Sequence, residues 1–277
     1  MHELHSSAPR PELRAYVRAF AQRKLDRGSV EVVQPMPACL EQILSFEFGD
    51  HPIIEFGDGS RLQTYQIAVV GPSAYRPVNV RLRSGLESFA IFFQPLAFWQ
   101  LFRVSIGELA NRHYDCCDVV GAEIQDLKNK MADTVSFPKR VELVEEYLLR
   151  KASRSVGNTP IMNAALHMFE CNGTARISDI ANQTSLSLRQ FERRFTSEIG
   201  IGPKLFARVA RFQMVLDAKV RCRNASWLTL AHEFGYHDQM HMIRDFYGLS
   251  GFSPSCLLER LGDNRPPALA ACQEGER

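Results

Sequence analysis

Between residues 177 and 254 one arrangement of residues occurs twice. The first copy runs Ile180-Ala181, then Phe191-x-Arg193-x-Phe195, then Gly200-x-x-Pro203. The second runs Leu230-Ala231, then Met242-x-Arg244-x-Phe246, then Gly251-x-x-Pro254. The tails keep the same spacing, and the stretch after the Ala is one residue longer in the second copy. A repeat of this size marks one supersecondary unit used twice.

The unit reads as helix, tight turn, helix. In the second copy the apolar run Trp227-Leu228-x-Leu230-Ala231-x-x-Phe234 stops at Gly235, which suits the left-handed conformation that ends a helix. A new helix begins near Asp238, whose carboxylate can cap free N–H groups. In the first copy Ser187-Leu-Arg-Gln190 fits a reciprocal capping box. Phe191 and Phe195, like Met242 and Phe246, lie four apart, on one face of each second helix, and should pack inward. Arg189, Gln190, Glu192 and Arg193 then project outward, as do Gln239, Met240, His241 and Arg244. An exposed helix start carrying Arg and Gln is what reading base edges in a major groove requires. A single such element is common in helical proteins. Two copies, each with an Arg-bearing second helix and a Gly-x-x-Pro exit, are far more specific.

Residues 158–261 resemble the AraC/XylS-type bacterial transcription regulators. The matching text is Ile177-Ser-Asp-Ile-Ala181, Leu186-Ser-Leu-Arg-Gln-Phe-Glu-Arg-Arg-Phe195, Gly235-Tyr-His-Asp-Gln239, Ile243-Arg-Asp-Phe246 and Gly251-Phe-Ser-Pro254. The resemblance implies seven helices, with a long central helix separating two units that enter successive major grooves. That helix should start after Pro203 and bury the stripe Leu205, Val209, Phe212 and Leu216. It also implies that the second unit more often contacts the DNA backbone. Three positions depart from the family pattern. Ser185 stands where such turns usually carry Gly, Met242 replaces an aromatic or Leu, and Glu192 faces outward among arginines. Glu192 could accept from a cytosine amino group or pair with Arg189 or Arg193.

Bulk charge adds little. The net charge of the 277-residue chain is +2, and residues 158–261 hold 12 Lys and Arg against 9 Asp and Glu, a surplus of three. DNA contact must then come from a few placed donors, backbone N–H groups at helix starts among them. The N-terminus lacks the basic start and apolar run of a leader. No stretch approaches the ~18 consecutive apolar residues of a membrane span. Seven scattered Cys argue against a disulfide framework. A reduced, cytoplasmic setting is expected.

The rest of the chain reads as a second domain, and the whole as α+β. Residues 1–150 form the expected sensor and dimerisation domain, β-rich over 30–95 and helical over 96–150. Residues 151–158 form a linker, 159–261 the double helix-turn-helix domain, and 262–277 a disordered tail. In residues 1–25, Leu13, Tyr16, Val17 and Phe20 have roughly helical spacing, with Arg10, Arg14 and Arg18 on a solvated face. Short apolar runs at 43–46, 66–70, 78–80 and 89–93, broken by Gly, Pro, Asp and Asn, suggest a small barrel or sandwich. The family resemblance favours a cupin-like barrel. Ser105-Ile-Gly-Glu108 fits a capping box, and helices are expected over 121–131 and 138–149.

His113-x-x-Cys116-Cys117 is the one cluster of metal-ligand types, but adjacent Cys seldom share a tetrahedral zinc. No catalytic residue, cofactor or metal is assigned. The leading expectation is a sequence-specific transcription regulator, an activator in preference to a repressor. It would bind promoter double-stranded DNA, respond to an unknown small-molecule effector and act as a homodimer, with RNA polymerase as a further partner. The competing class is a cupin-type metal-dependent enzyme targeted by its helical domain. That reading needs two or three histidines close together on neighbouring strands, and residues 30–95 offer only His51.

Overall fold

The computed structural model describes residues 2–74 and 78–262. The first half builds strands β1 (His2–Ser7), β2 (Val17–Leu25), β3 (Val32–Met36), β4 (Ile43–Glu47) and β5 (Ile53–Phe56). These are followed by β6 (Arg61–Gln63), β7 (Ile67–Val70), β8 (Val78–Leu82) and β9 (Glu87–Phe93). Two short helices, α1 (Ala97–Phe102) and α2 (Ile106–Leu109), precede the last strand, β10 (His113–Asp115). Six strands pair in the order β1-β2-β9-β4-β7-β10, and four in the order β3-β8-β5-β6. The two sheets exchange no strand pairing among the described residues, so the expected closed, cupin-like barrel is not formed. Texture encodes short strands and turns. Closure depends on pairing at the sheet edges, which texture does not carry.

The larger sheet has two different faces, as period-two alternation requires. Leu44, Phe46, Phe89, Ile91 and Phe93 point to a core shared with α1 and with the next helices of the chain. Those are α3 (Cys116–Val120), α4 (Glu123–Ala132) and α5 (Phe137–Ala152). Ile124, Leu127 and Met131 of α4 and Val144 and Leu148 of α5 enter that core, as their spacing predicts. The opposite face carries Ser45, Glu47, Ser88 and Ala90 and looks across a cavity to the smaller sheet.

Residues 1–25 are not helical. Pro11–Leu13 makes one 3-10 turn, and Val17–Leu25 is a strand covered on both faces along most of its length. Such a strand loses its alternation, and a short apolar run cannot then be told from a helix by period. Of the arginines expected on a solvated face, Arg14 is exposed, but Arg10 pairs with Glu145 at 2.8 Å and Arg18 is buried. Ser105 precedes α2 without a side-chain cap, because the backbone of Glu108 closes that short turn onto the Ser105 carbonyl. The segment expected as a linker begins inside α5. Its remainder lies on α1, with Val156 N–H donating to the Gln100 carbonyl and Gln100 donating to Asn158.

Among the described residues the second half contains seven helices. They are α6 (Pro160–Glu170), α7 (Ile177–Gln183), α8 (Leu188–Ile199), α9 (Pro203–Arg221), α10 (Trp227–Glu233), α11 (Gln239–Ser250) and α12 (Pro254–Leu261). The expected tail, past Gly262, lies outside the described residues. Val209, Phe212 and Leu216 of α9 are fully buried; Leu205 is only partly covered, and its neighbour Phe206 takes the core position.

The other side of α9 docks on the sheets. Gln213 and Asp217, four apart on one face, meet a buried polar cluster. Arg18 of β2 donates to Glu41 at 2.5 Å and to Asp217 at 2.5 Å. Gln213 donates to Glu41 at 2.5 Å and accepts from the Leu40 N–H at 3.0 Å. Burial pushes the Asp217 carboxyl up to about 6 from 3.8, although Arg18 pulls it down.

Two tests follow from this packing. Phe212→Ala should destabilise the chain by about 3–5 kcal/mol, because it empties a fully buried aromatic site. A urea melt indistinguishable from wild type would remove Phe212 from the core. A carboxyl whose folded value is raised holds its proton longer than in the unfolded chain. The Asp217 contribution is therefore complete below about pH 4 and falls as pH rises through about 6. The gap is worth roughly 3 kcal/mol. Asp217→Asn should flatten the pH dependence of stability across that window by this order, measured in urea melts at both ends. Parallel profiles would show that the Asp217 carboxyl titrates in the folded chain as it does in the unfolded one.

Candidate nucleic-acid interface

Each helix-turn-helix unit is assembled on α9 by aromatic packing. In the first, Phe191, Phe195 and Ile199 of α8 are buried, and Phe195 meets Phe206 edge-on at 5.4 Å. In the second, Met242, Phe246 and Leu249 of α11 are buried, and Phe246 meets Phe212 at 4.7 Å and Trp227 at 5.7 Å. The turn between α6 and α7 presses so close to α9 that a Cβ on Gly173 would lie 2.1 Å from the Ala207 carbonyl oxygen. Arg211 ties this contact by donating to the Gly173 carbonyl at 2.7 Å, and its guanidinium also lies 5.1 Å from the Tyr236 ring. Arg208 of α9 holds α11 through Asp245, with donors at 3.0 and 2.8 Å from one carboxylate oxygen.

The turns differ. Gly235 takes a left-handed φ of 70° without cost, whereas Ser185 is held at φ 56°. A residue with a Cβ in that conformation carries strain on the order of 1–2 kcal/mol.

The starts of α8 and α11 are capped by side chains. Gln190 N–H donates to Ser187 Oγ at 3.4 Å, and Ser187 N–H donates to Gln190 Oε1 at 3.0 Å. His241 N–H donates to Asp238 Oδ1 at 2.6 Å. The capping box commits the oxygen of the Gln190 side chain to its own helix. Arg189 and Arg193 stand exposed, with Glu192 half-buried between them. Among the described residues these three side chains make no ion pair, so neither arginine is spent on Glu192; Arg194 instead pairs with Glu198 at 3.2 Å. In α11 the outward candidates separate. Met240 and Arg244 are exposed, and Arg244 donates to the Met240 carbonyl at 3.3 Å. Gln239 and His241 are half-buried, and the His241 ring sits edge-on to Tyr236 at 5.3 Å.

Leu188, His237 and Tyr247 are also exposed along these helices or their leading turns. The sequence holds a signal for Leu188, four residues before Glu192 and so on the same face. Arg208 and Arg211 had no local signal, because their partners lie 37 and 38 residues away.

The sheet half touches both α8 and α11 at their far ends. Gly107 of α2 packs on the end of α8, where a Cβ would lie 2.4 Å from the Ser197 carbonyl oxygen. Ala38 N–H donates to the Leu249 carbonyl of α11 at 2.8 Å.

A family model described as a helix-turn-helix domain matches residues 180–260, spanning both units. Residues 180–260 are a helix-turn-helix domain of the AraC type. Such a domain supports DNA binding and a part in transcription regulation. A second model, described as a domain of unknown function (DUF6597), matches residues 5–115. No curated protein matches the sequence. Among solved structures the chain is similar to ToxT from Vibrio cholerae O395, with TM-score 0.51 and 9% identity over 95% of this chain and 98% of that one. A second crystal form of Vibrio cholerae ToxT gives 0.52 at 9% identity over 95% and 98%. ToxT bound to (E)-4-(8-methylnaphthalen-1-yl)but-3-enoic acid gives 0.50 at 10% identity over 94% and 98%. At these identities the likeness concerns the fold. Among the described residues no three His, Cys, Asp or Glu side chains gather as a metal would require, and no helix is long and apolar enough to cross a membrane.

The mounting of α11 yields a test. Arg208→Ala leaves the buried Asp245 carboxylate without its cation, which should lower stability by about 1–3 kcal/mol. It should weaken DNA binding across all sequences, because it loosens the helix and not a base contact. A thermal melt and a binding series on unrelated duplexes check both. Unchanged values would mean that Asp245 is satisfied without Arg208.

Proposed function

We propose that the chain is a sequence-specific transcription regulator, an activator, that reads promoter DNA chiefly through α8 and uses α11 mainly to grip the backbone. The carrying observation is the difference between the two helices. Arg189 and Arg193 stand on one exposed face of α8 without ion partners among the described residues, whereas Arg244 leans on its own helix and His241 on Tyr236. A base edge needs an uncommitted guanidinium. Glu192 adds an acceptor between the arginines. Gln190, Gln239, Met240 and His241 complete the proposed DNA-contacting set. The sheet half is the sensor for a small-molecule effector. A ToxT structure that holds a small carboxylic acid supports that role, as does the cavity between the two sheets here. A homodimer acting with RNA polymerase is the arrangement we infer for the whole.

Arg189→Ala or Arg193→Ala should lower affinity for the true operator roughly ten- to hundredfold and relax discrimination at one or two base positions, as loss of a bidentate Arg–guanine contact does. An arginine that touches only phosphate would weaken all sequences alike and make the salt slope shallower by about one. The measurement is binding to single-base operator variants at several salt concentrations. Full sequence preference in both variants would overturn base readout by α8.

A further inference from the structure

The inner face of the larger sheet is laid out in rows, because residues paired directly across strands point to one side. One row is Arg23, Ser88 and Glu47, on β2, β9 and β4. The next is Ala21, Ala90 and Ser45 on the same three strands. The third runs Phe92, Ile43, Val70 and His113, on β9, β4, β7 and β10. The small middle row leaves a cavity of about 170 Å³ between the sheets, roofed by Met36, Ile54 and Val80. An apolar cavity of about 150 Å³ is large enough to admit benzene. The space is that of a single ring, in a slot between two sheets.

The charged row has partners within the fold. Arg23 donates to Gln34 on the opposite sheet at 2.6 Å, and Ser45 and Ser88 hold the Glu47 carboxyl. A ligand need bring no charge to that end. The row of His113 ends differently. Both ring nitrogens of His113 are buried and have no hydrogen-bond partner among the described residues, and the same holds for the Thr64 hydroxyl. Both residues line the cavity. They share one end of it, since Tyr65, next to Thr64, stacks on the His113 ring at 5.1 Å. Ile43 and Glu47 are four residues apart along β4, which sets the two outer rows about 13 Å from each other. Buried polar groups ordinarily find partners, so an unmatched pair lining a cavity points to what fills it. Burial lowers the His113 pKa, and the neutral imidazole then offers one accepting and one donating nitrogen.

We propose that this cavity binds a small uncharged molecule with one apolar ring and one hydroxyl, a phenol by class. Its O–H donates to an imidazole nitrogen of His113, its oxygen accepts from the Thr64 hydroxyl, and its ring lies over the small middle row. The assignment rests on the sensor reading above and names the ligand class which that reading leaves open. A hydrocarbon would fill the space and leave His113 and Thr64 unmatched. A carboxylate would have to shed its water beside a neutral imidazole, which is costly.

The test uses the purified full-length chain at about pH 7.5, well below the ionisation of a phenol hydroxyl. Calorimetry with phenol and 4-methylphenol is compared with the matching hydrocarbons, benzene and toluene, and the matching carboxylates, benzoate and 4-methylbenzoate. At least one phenol should bind more tightly than about 1 mM, and its two analogues at least about tenfold more weakly, the worth of one hydrogen bond. His113→Phe keeps a ring to stack on Tyr65; it should weaken the phenol about tenfold without weakening the hydrocarbon. Should that variant fail to fold, Thr64→Val, nearly isosteric, is read in its place and should weaken the phenol at least about threefold. Ala90→Leu, with a normal melt, should abolish binding by filling the middle row. The idea fails if both phenols bind more weakly than about 1 mM, if a hydrocarbon or carboxylate matches its phenol, or if the folded variant binds phenol as wild type does. Operator binding is followed in parallel without ligand. DNA binding with no phenol binding sinks this assignment alone, and phenol binding with no DNA binding sinks only the regulator reading.

Discussion

Helix α9 is gripped from both sides, and the arrangement of everything else depends on that grip. Toward the helical half it presents Phe206, Val209, Phe212 and Leu216; toward the sheets it presents Gln213 and Asp217. A helix buried nearly all round ordinarily reads as apolar throughout. Here a polar edge is sunk into the contact and answered by Arg18, Glu41 and the Leu40 N–H. Apolar surfaces would allow the two halves to slide. Buried hydrogen bonds of this kind hold only in one register, since any slip leaves charges unpaired in a low dielectric.

Such a contact is specific without having to be strong. Moving Arg18, Glu41 and Asp217 into water would return most of the hydration lost on burial, which offsets much of the lost attraction. The junction can therefore separate at modest cost while having a single closed geometry. An interface that must change state in response to something bound nearby needs that combination. β2 ties the ends together: Arg18 enters the junction, and Ala21 and Arg23 of the same strand line the cavity between the sheets.

The helical half was legible because its signals are local. Ser187 and Gln190 cap within three residues, Gly235 turns the chain by itself, and the four-residue spacing of Phe191 and Phe195 settles which way α8 faces. The first 25 residues were not legible, because what makes β2 a strand is β1 on one side and β9 on the other. Arg18 looked like a solvated residue because its partner Asp217 is 199 residues away. The cavity was hidden for the same reason. Arg23, Ser88 and Glu47 form one row only after β2, β9 and β4 are placed side by side. Open sheets in place of a barrel follow the same pattern, since closure is decided by pairing across the longest separations.

The sheet half holds both α8 and α11 from behind. Gly107 of α2 meets the last turn of α8, and the Ala38 N–H meets the last turn of α11. The starts of both helices, where the exposed Arg189 and Met240 stand, are left clear. A rigid spacer alone would fix the distance between the helices but not the tilt of either. Contacts at both far ends, joined through one pair of sheets, constrain tilt and distance together. Small displacements in the sheets would then reach both helices at once, because packed contacts such as Gly107 on Ser197 have no slack to absorb them. Under the proposed reading, two helices that engage one duplex together gain little from adjustment of either by itself. Control exerted on both from a single body is the arrangement that geometry favours.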